Sequence, residues 1–338
     1  MVGINEVARR AGVSAATVSR ALSGNGPVSP EARARVESAA NALHYVASSN
    51  ASSLASGRTR NVGIVVPHLN RWFFSSVVEG AEHTLLRNGY DLTLYNLSGG
   101  DDERRSVFEH FLLRRRVDAV IAVALELTAK EIFGLLALDK PLVGVGGPLA
   151  GVPSLAIDDV AIARLATEHL LMLGHTAILH IGGASEEDTD FHMVRNRRAG
   201  FQQAMTAAGL PVADEHTLSP DFTIAAGYAR AKQALGHPHH RPTAIFAASD
   251  EMAIGAILAS RDLGLDVPRD VSIVGIDDHE LAEFFQLTTV AQFPKGQGEL
   301  AAEILIAQLE PSRQKQFALT VPLPFELIVR SSTARPRD

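Results

Sequence analysis

Short apolar stripes at helical spacing open this chain, and from residue 61 onward they give way to continuous runs of valine, isoleucine and leucine. In INEVARRAGVSAATVSRALS (4–23), Ile4, Val7, Ala8 and Ala11 share one face of a first helix, while Glu6, Arg9 and Arg10 lie on the others. Gly12 ends that helix, because glycine takes the left-handed conformation a tight turn needs, and Val13 plugs inward. Ser14 then caps a second helix, Ala15 to Leu22, with Val18, Ala21 and Leu22 buried and Ala15, Ala16, Thr17, Ser19 and Arg20 left for solvent or a groove. Ser29 and Pro30 start a third helix whose inward residues are Ala32, Val36, Ala39, Ala40 and Leu43. By spacing alone this is either an ordinary helical hairpin or a helix-turn-helix that offers its second helix to DNA. Small residues at the start of that helix permit close approach to base edges, alanine methyls suit thymine methyls, and Arg20 suits guanine or phosphate.

The later runs are NVGIVVP (61–67), YDLTLYN (90–96), VDAVIAV (117–123), KPLVGV (140–145), TAILHIGG (176–183), TAIFAAS (243–249) and VSIVGID (271–277), separated by amphipathic helical stretches. Such runs read as parallel sheets covered on both faces. They are too many for one compact sheet and predict two similar lobes, with a cleft lined by loops at the carboxyl ends of the strands. The expected fold class is therefore α/β, with an all-α helix-turn-helix headpiece in front of a two-lobed core. Between the parts lies ASSNASSLASG (47–57), whose serines make it a poor autonomous helix. By composition it reads as a flexible tether, with Leu54 its one large apolar residue.

Composition narrows the classes. The 338 residues contain no cysteine, which excludes disulfides, thiolate catalysis and cysteine zinc sites together. No apolar run approaches a membrane span and the first residues do not read as a signal peptide, so the expected location is the cytoplasm. The net charge of −7 is unevenly spread. Through residue 60, Arg9, Arg10, Arg20, Arg33, Arg35, Arg58 and Arg60 face only Glu6, Glu31 and Glu37, as suits one end that meets phosphate. There is no P-loop, no dinucleotide-binding glycine motif after the first core strand and no nucleophile elbow, so an enzyme is not expected. No cofactor or metal is expected either: His237, His239 and His240 sit in a proline-bearing loop without a matching carboxylate cluster, and read as exposed loop residues.

The run AGVSAATVSRALSG followed by VSPEARARVESAANALHY resembles the DNA-binding headpiece of the LacI/GalR family of bacterial transcriptional regulators, whose signature V-S-x-x-T-V-S-R falls on Val13, Ser14, Thr17, Val18, Ser19 and Arg20. The resemblance implies that Ala15, Ala16 and Arg20 read bases, that Asn5, Thr17, Ser19, Asn25 and Ser29 hold phosphates, and that Ser14 belongs to the same DNA-binding face. It also implies that 47–59 is a hinge which becomes helical when two subunits meet on the operator, Leu54 wedging into the minor groove with Ala51 one turn before it. Ala47, Ser48 and Ser52 depart from the family's usual proline, asparagine and arginine there. The stretches VGIVVPHLNRWFFSSVVEGAEHTLLRNGYDL, IDDVAIARLATEHLLMLGHTAILHIGG, RRAGFQQAM, FAASDEMAIGAIL and DVSIVGIDD carry the resemblance through the core, which is similar to periplasmic sugar-binding proteins. The implied organisation is a headpiece at 1–46, a hinge at 47–59 and an effector-binding core at 60–338. With crossings near 158, 290 and 320, one lobe takes 60–158 and 290–319 and the other 159–289 and 320–335.

Pocket residues follow from the same resemblance. Phe73 matches an aromatic that stacks on the effector, and Phe74 is core. His68, Asn70, Arg71 and Trp72 replace the usual Asp, Ser, Asn and Pro, so that loop is tuned to a particular ligand, with Trp72 either facing it or packing. Arg197 matches the arginine that anchors hydroxyls or carboxylates, Phe222 an aromatic platform, and Asp277 a carboxylate that accepts from ligand hydroxyls. Ser249 and Asp250 lie near the pocket or cap a helix, and Gln292 lies where the chain recrosses. Val145, Gly146 and Gly147 stand where the family usually has V-D-R, which leaves more room and fewer acceptors. The expected function is a homodimeric repressor whose affinity for a pseudopalindromic operator is set by a small polar metabolite, a sugar or oligosaccharide. The alternatives are a regulator co-repressed by a purine or another metabolite, or a cytoplasmic solute-binding protein.

Overall fold

A computed structural model describes residues 2–23, 26–45, 58–97, 100–112, 116–125, 127–137, 140–183, 192–212, 217–219, 222–237, 241–310 and 318–337. The chain divides into two compact units, Met1–Asn61 with Arg115–Asp118, and Val62–Arg114 with Ala119–Asp338. Asn25, Ala51, Leu54, His239 and His240 lie outside the described residues.

The first unit holds α1 (Ile4–Ala11), α2 (Ala15–Ser23) and α3 (Pro30–Ala42). Gly12 is left-handed at φ 66°, its amide bonding back to the Ala8 carbonyl, so the turn between α1 and α2 has the geometry its glycine suggested. Ser14 Oγ accepts from the Thr17 amide at 3.1 Å and Ser29 Oγ from the Ala32 amide at 3.2 Å, capping α2 and α3. Val7, Val18 and Val36, one per helix, are fully buried and meet among Ala8, Ala11, Ala21, Ala39 and Ala40. Two inward assignments shift. Ala32 is only partly buried and lies outside this cluster, whereas Ala15, expected to be free for a groove, packs against it.

The second unit contains two six-stranded sheets. The first has the order β11-β5-β4-β3-β1-β2, from β1 (Asn61–Val66), β2 (Asp91–Asn96), β3 (Ala119–Val123), β4 (Leu142–Val145), β5 (Ser154–Ala156) and β11 (Thr320–Pro322). The second runs β12-β10-β9-β8-β6-β7, from β6 (Ile178–Gly183), β7 (Thr217–Ser219), β8 (Ala244–Ala247), β9 (Ser272–Asp277), β10 (Thr288–Ala291) and β12 (Glu326–Ile328). β1 pairs in parallel with β3, β3 with β4, and β6 with β8, as the continuous apolar runs predict. β12 is the exception, running antiparallel to β10. It is the strand on which the chain returns to the second lobe.

Period-2 alternation buries both faces of the second sheet. Ile245 and Ile273 pack under α10 (Asp250–Asp262) with Met252 and Ile257, while Phe246, Val274 and Ile276 pack on the other face with Ile162 and Leu170 of α7 (Asp159–Met172) and Phe201 of α8 (His192–Ala207). In the first sheet Ile64, Ile121 and Val143 pack with Val77 and Leu85 of α4 (Trp72–Arg87) and Leu305 of α11 (Pro294–Leu309). The sheets also place the crossings. β10 still belongs to the second sheet and β11 to the first, so the chain crosses after Ala291 and again between Pro322 and Glu326, slightly later than the expected 290 and 320.

Candidate functional site

The headpiece exposes Asn5, Ser14, Ala16, Ser19, Arg20 and Ser29, with Thr17 half-buried. Ser14 and Thr17 are tied together, hydroxyl to hydroxyl at 2.9 Å, so the start of α2 is fixed before it meets any partner. Arg33 donates from Nη1 to the Ala21 carbonyl and joins α3 to the end of α2. Arg9, Arg10, Arg20 and Arg35 are exposed around these elements, giving the unit a basic, hydrogen-bonding surface that suits a phosphate backbone. Ala15 is partly buried and packs against the core of the three helices.

In the second unit the polar side chains gather where the strands of the second sheet end. Arg197 on α8 is buried, donating from Nε to Asp159 Oδ1 at 2.9 Å and from Nη1 to the Ala248 carbonyl at the end of β8. Asp277 closes β9 with φ 132° and Asp278 follows at φ 55°, two positive-φ residues in succession at the carboxyl end of a central strand. Asp277 Oδ1 accepts from Gln292 Nε2, and the Gln292 carbonyl accepts from Gln297 Nε2 at 2.6 Å, so the crossing after β10 is pinned to the end of β9. Asp278 forms an ion pair with Arg330 at 2.8 Å.

Asp250 braces this turn. It is fully buried, Oδ2 accepting from the His279 amide at 2.9 Å and Oδ1 from Thr289 Oγ1 at 2.7 Å. Gly275 leaves the space it needs, since a Cβ there would lie 2.1 Å from Asp250 Oδ1. Ser249 Oγ accepts from the Met252 amide, which makes it the N-cap of α10. Of the two alternatives for Ser249 and Asp250, their bonds serve the cap and the turn.

Burial raises the Asp277 carboxyl to about 7, with the Arg197 charge and the Gln292 hydrogen bond pulling the other way. Asp250 is pushed well above the usual carboxylate range, first by burial and then by the charge of Asp277. Burial also raises Asp159, against the pull of Arg197. The cluster therefore offers carboxyl groups that accept, or once protonated donate, beside one guanidinium fork already engaged by Asp159 and Ala248. Such a set suits a neutral ligand that donates several hydroxyl hydrogen bonds.

The aromatic residues divide. Phe74 is core, and Phe73 meets it edge-on at 5.5 Å while packing on the first lobe. Phe222 is half-buried and packs against the second lobe's core. His68 and Asn70 are exposed, and His68 has its ring 6.5 Å from that of Phe74. Trp72 reaches the other lobe: its ring meets that of His279 in a tilted contact, 4.7 Å between centroids and 34° between planes, and its amide donates to Glu251 Oε1 at 3.5 Å. Glu251, His279, Asp159 and Thr289 are participants that sequence reasoning missed. His279 and Glu251 were signalled only by their places beside Asp277 and Asp250. His237 is exposed, and among the described residues no group of His, Cys, Asp or Glu is arranged to hold a metal ion. No helix among them is long and apolar enough to cross a membrane.

Comparison with known proteins matches residues 3–48 to a family of bacterial regulatory proteins, the lacI family, and residues 167–333 to a periplasmic binding protein-like domain. The ribose operon repressor of Escherichia coli (strain K12) is 33% identical over 96% of this chain and 99% of its own length. Among solved structures, the lac repressor dimer bound to operator and the anti-inducer ONPF aligns at a TM-score of 0.82 and 27% identity, covering 98% of this chain and 99% of that one. A transcriptional regulator CelR–cellobiose complex aligns at 0.68 and 29% identity, covering 98% and 100%.

Proposed function

The chain belongs to the LacI family of bacterial regulatory proteins, and from that membership we propose how its two units divide the work of a DNA-binding repressor controlled by a small molecule. Residues 1–46 bind the operator, 47–59 form the hinge, and 60–338 form the effector-binding core. Two copies act as a dimer on a pseudopalindrome in the bacterial cytoplasm. The buried cluster of Arg197, Asp277 and Gln292 at the strand ends carries the effector reading: acceptor-rich and largely uncharged in its needs, it fits a sugar or oligosaccharide better than an anion. Effector between the lobes changes their closure and thereby the spacing of the hinges. When the hinges are misaligned, Ala51 and Leu54 of the two copies no longer seat together in the minor groove, and affinity falls.

A mobility-shift assay with the chain's own promoter region tests this reading. The expected result is a discrete complex that withstands excess non-specific DNA and responds to one sugar in a panel; no sequence-specific complex at any condition would refute it. Within the headpiece, Arg20→Ala is expected to cost about 1–3 kcal/mol per half-site and to relax base preference at one position. Leu54→Ala should weaken operator binding more than non-specific binding, because only the operator complex contains the kinked step. Equal losses on both DNAs in titrations at fixed salt would contradict these roles.

A further inference from the structure

Trp72 is the only tryptophan in the chain, and it opens α4 on the first lobe. The residue before it, Arg71, gives that helix no side-chain cap. An acceptor reaches it from the opposite lobe. Glu251 of α10 receives the Trp72 amide and places a carboxylate at the positive end of the α4 dipole. Beside it the indole lies on the ring of His279, 4.7 Å between centroids. His279 is itself buried and held at two points: its amide donates to Asp250, and its Nδ1 accepts from the Leu281 amide at 2.9 Å.

We propose that Trp72, His279 and Glu251 form a latch that closes the cleft, a tilted indole–imidazole contact and a helix cap supplied across the gap, whose making and breaking positions the lobes. The latch rests on the reading of the cleft as the effector site only for its regulatory meaning; the contact itself needs neither DNA nor effector.

Its chemistry makes it sensitive to acid. An Nδ1 that accepts from Leu281 carries no proton, so the ring in the latch is neutral with its hydrogen on Nε2. Protonation would set donor against donor at Leu281 and loosen the turn that carries the ring. Burial works the same way, holding the imidazole below its usual value despite the adjacent Glu280. The charged groups around the ring are Glu280 in its own loop, Asp250 and Glu251 on α10, Asp277 and Asp278 at the end of β9, Arg330 paired with Asp278, and Arg71 before α4. Asp250 is tied to the His279 amide rather than to the ring, and the Asp278 charge is met by Arg330. The neutral state is therefore kept until the pH falls below about 6.5, the ordinary histidine value.

The lone indole reports on the latch in the unmodified full-length chain. Its emission, excited at the red edge of tyrosine absorption, should lie to the blue of a water-exposed indole at neutral pH and shift toward it as the pH falls, with a midpoint below about 6.5, because protonated His279 releases the indole. His279→Gln should remove that step, and Glu251→Gln should shift emission toward that of an exposed indole. Small-angle scattering supplies the second arm: Trp72→Ala should enlarge the radius of gyration at neutral pH, and Trp72→Phe, which keeps an aromatic ring, should restore it. Far-ultraviolet circular dichroism verifies that each variant is folded. The proposal is overturned by the absence of a pH step in the unmodified chain, by a step that persists in His279→Gln, or by a Trp72→Ala scattering curve that superposes on that of the unmodified chain.

Discussion

Arg197→Ala is expected to abolish the effector response and to destabilise the core by about 3–5 kcal/mol. The arginine and Asp159 are each about 5% exposed, so removing the guanidinium leaves a carboxylate in a site from which water is excluded. The Ala248 carbonyl loses its donor in the same step, and the end of β8 loses its tie to α8. Arg197→Lys keeps the charge but not the fork that grips Asp159 and Ala248 together, and should recover only part of the loss. Arg197→Ala combined with Asp159→Ala should be more stable than Arg197→Ala alone, because no unpaired charge remains. Urea denaturation of the set measures these differences, and mobility shifts below the unfolding midpoint show whether operator binding survives without response. A destabilisation under about 1 kcal/mol would mean the pair is solvated and has no such role.

Asp277→Asn should change how stability depends on pH. The carboxyl titrates at about 7 in the folded chain against an ordinary 3.8. Between those values the folded chain holds a proton that the unfolded chain releases, so this group's contribution is intact at acid pH, is lost progressively as the pH rises from about 4 to about 7, and is constant above. At about 1.4 kcal/mol per unit the loss is at most about 4 kcal/mol. The asparagine has no charge to bury and still offers Gln292 an acceptor, so the variant should gain on the unmodified chain between about pH 5 and pH 8. Urea midpoints of both proteins across that range measure the gain, and parallel curves would contradict it. The same substitution should weaken effector binding, since an amide oxygen accepts less strongly than a carboxylate.

The headpiece was legible because its information is local. Val7, Val18 and Val36 stand at helical spacing around Gly12, and that pattern specifies a three-helix core without knowledge of anything distant. The strands were legible for a similar reason: runs such as AVIAV and AIFA have no other economical use between amphipathic helices. What could not be read was pairing across the chain. Asp159 meets Arg197 from another helix, Thr289 meets Asp250 from another strand, and Glu251 caps α4 from another lobe, and none of these pairs has a sequence spacing to betray it. Ala15 and Phe222 each pack part of their surface against a core, a share that their positions in the sequence do not reveal.

The central claim is a free-energy link between the cleft and the headpiece, and it is tested most directly by reciprocity. Operator affinity is measured by fluorescence anisotropy at one fixed salt concentration with and without the responding sugar, and sugar affinity is measured by calorimetry with and without saturating operator. The expected result is a change in operator affinity of about 5–150-fold, matched by the same factor in sugar affinity. Arg197→Ala should reduce both factors to one, and Arg20→Ala should weaken operator binding while leaving sugar affinity in the absence of DNA untouched. A sugar that binds the cleft tightly without shifting operator affinity, or two factors that disagree, would contradict the account.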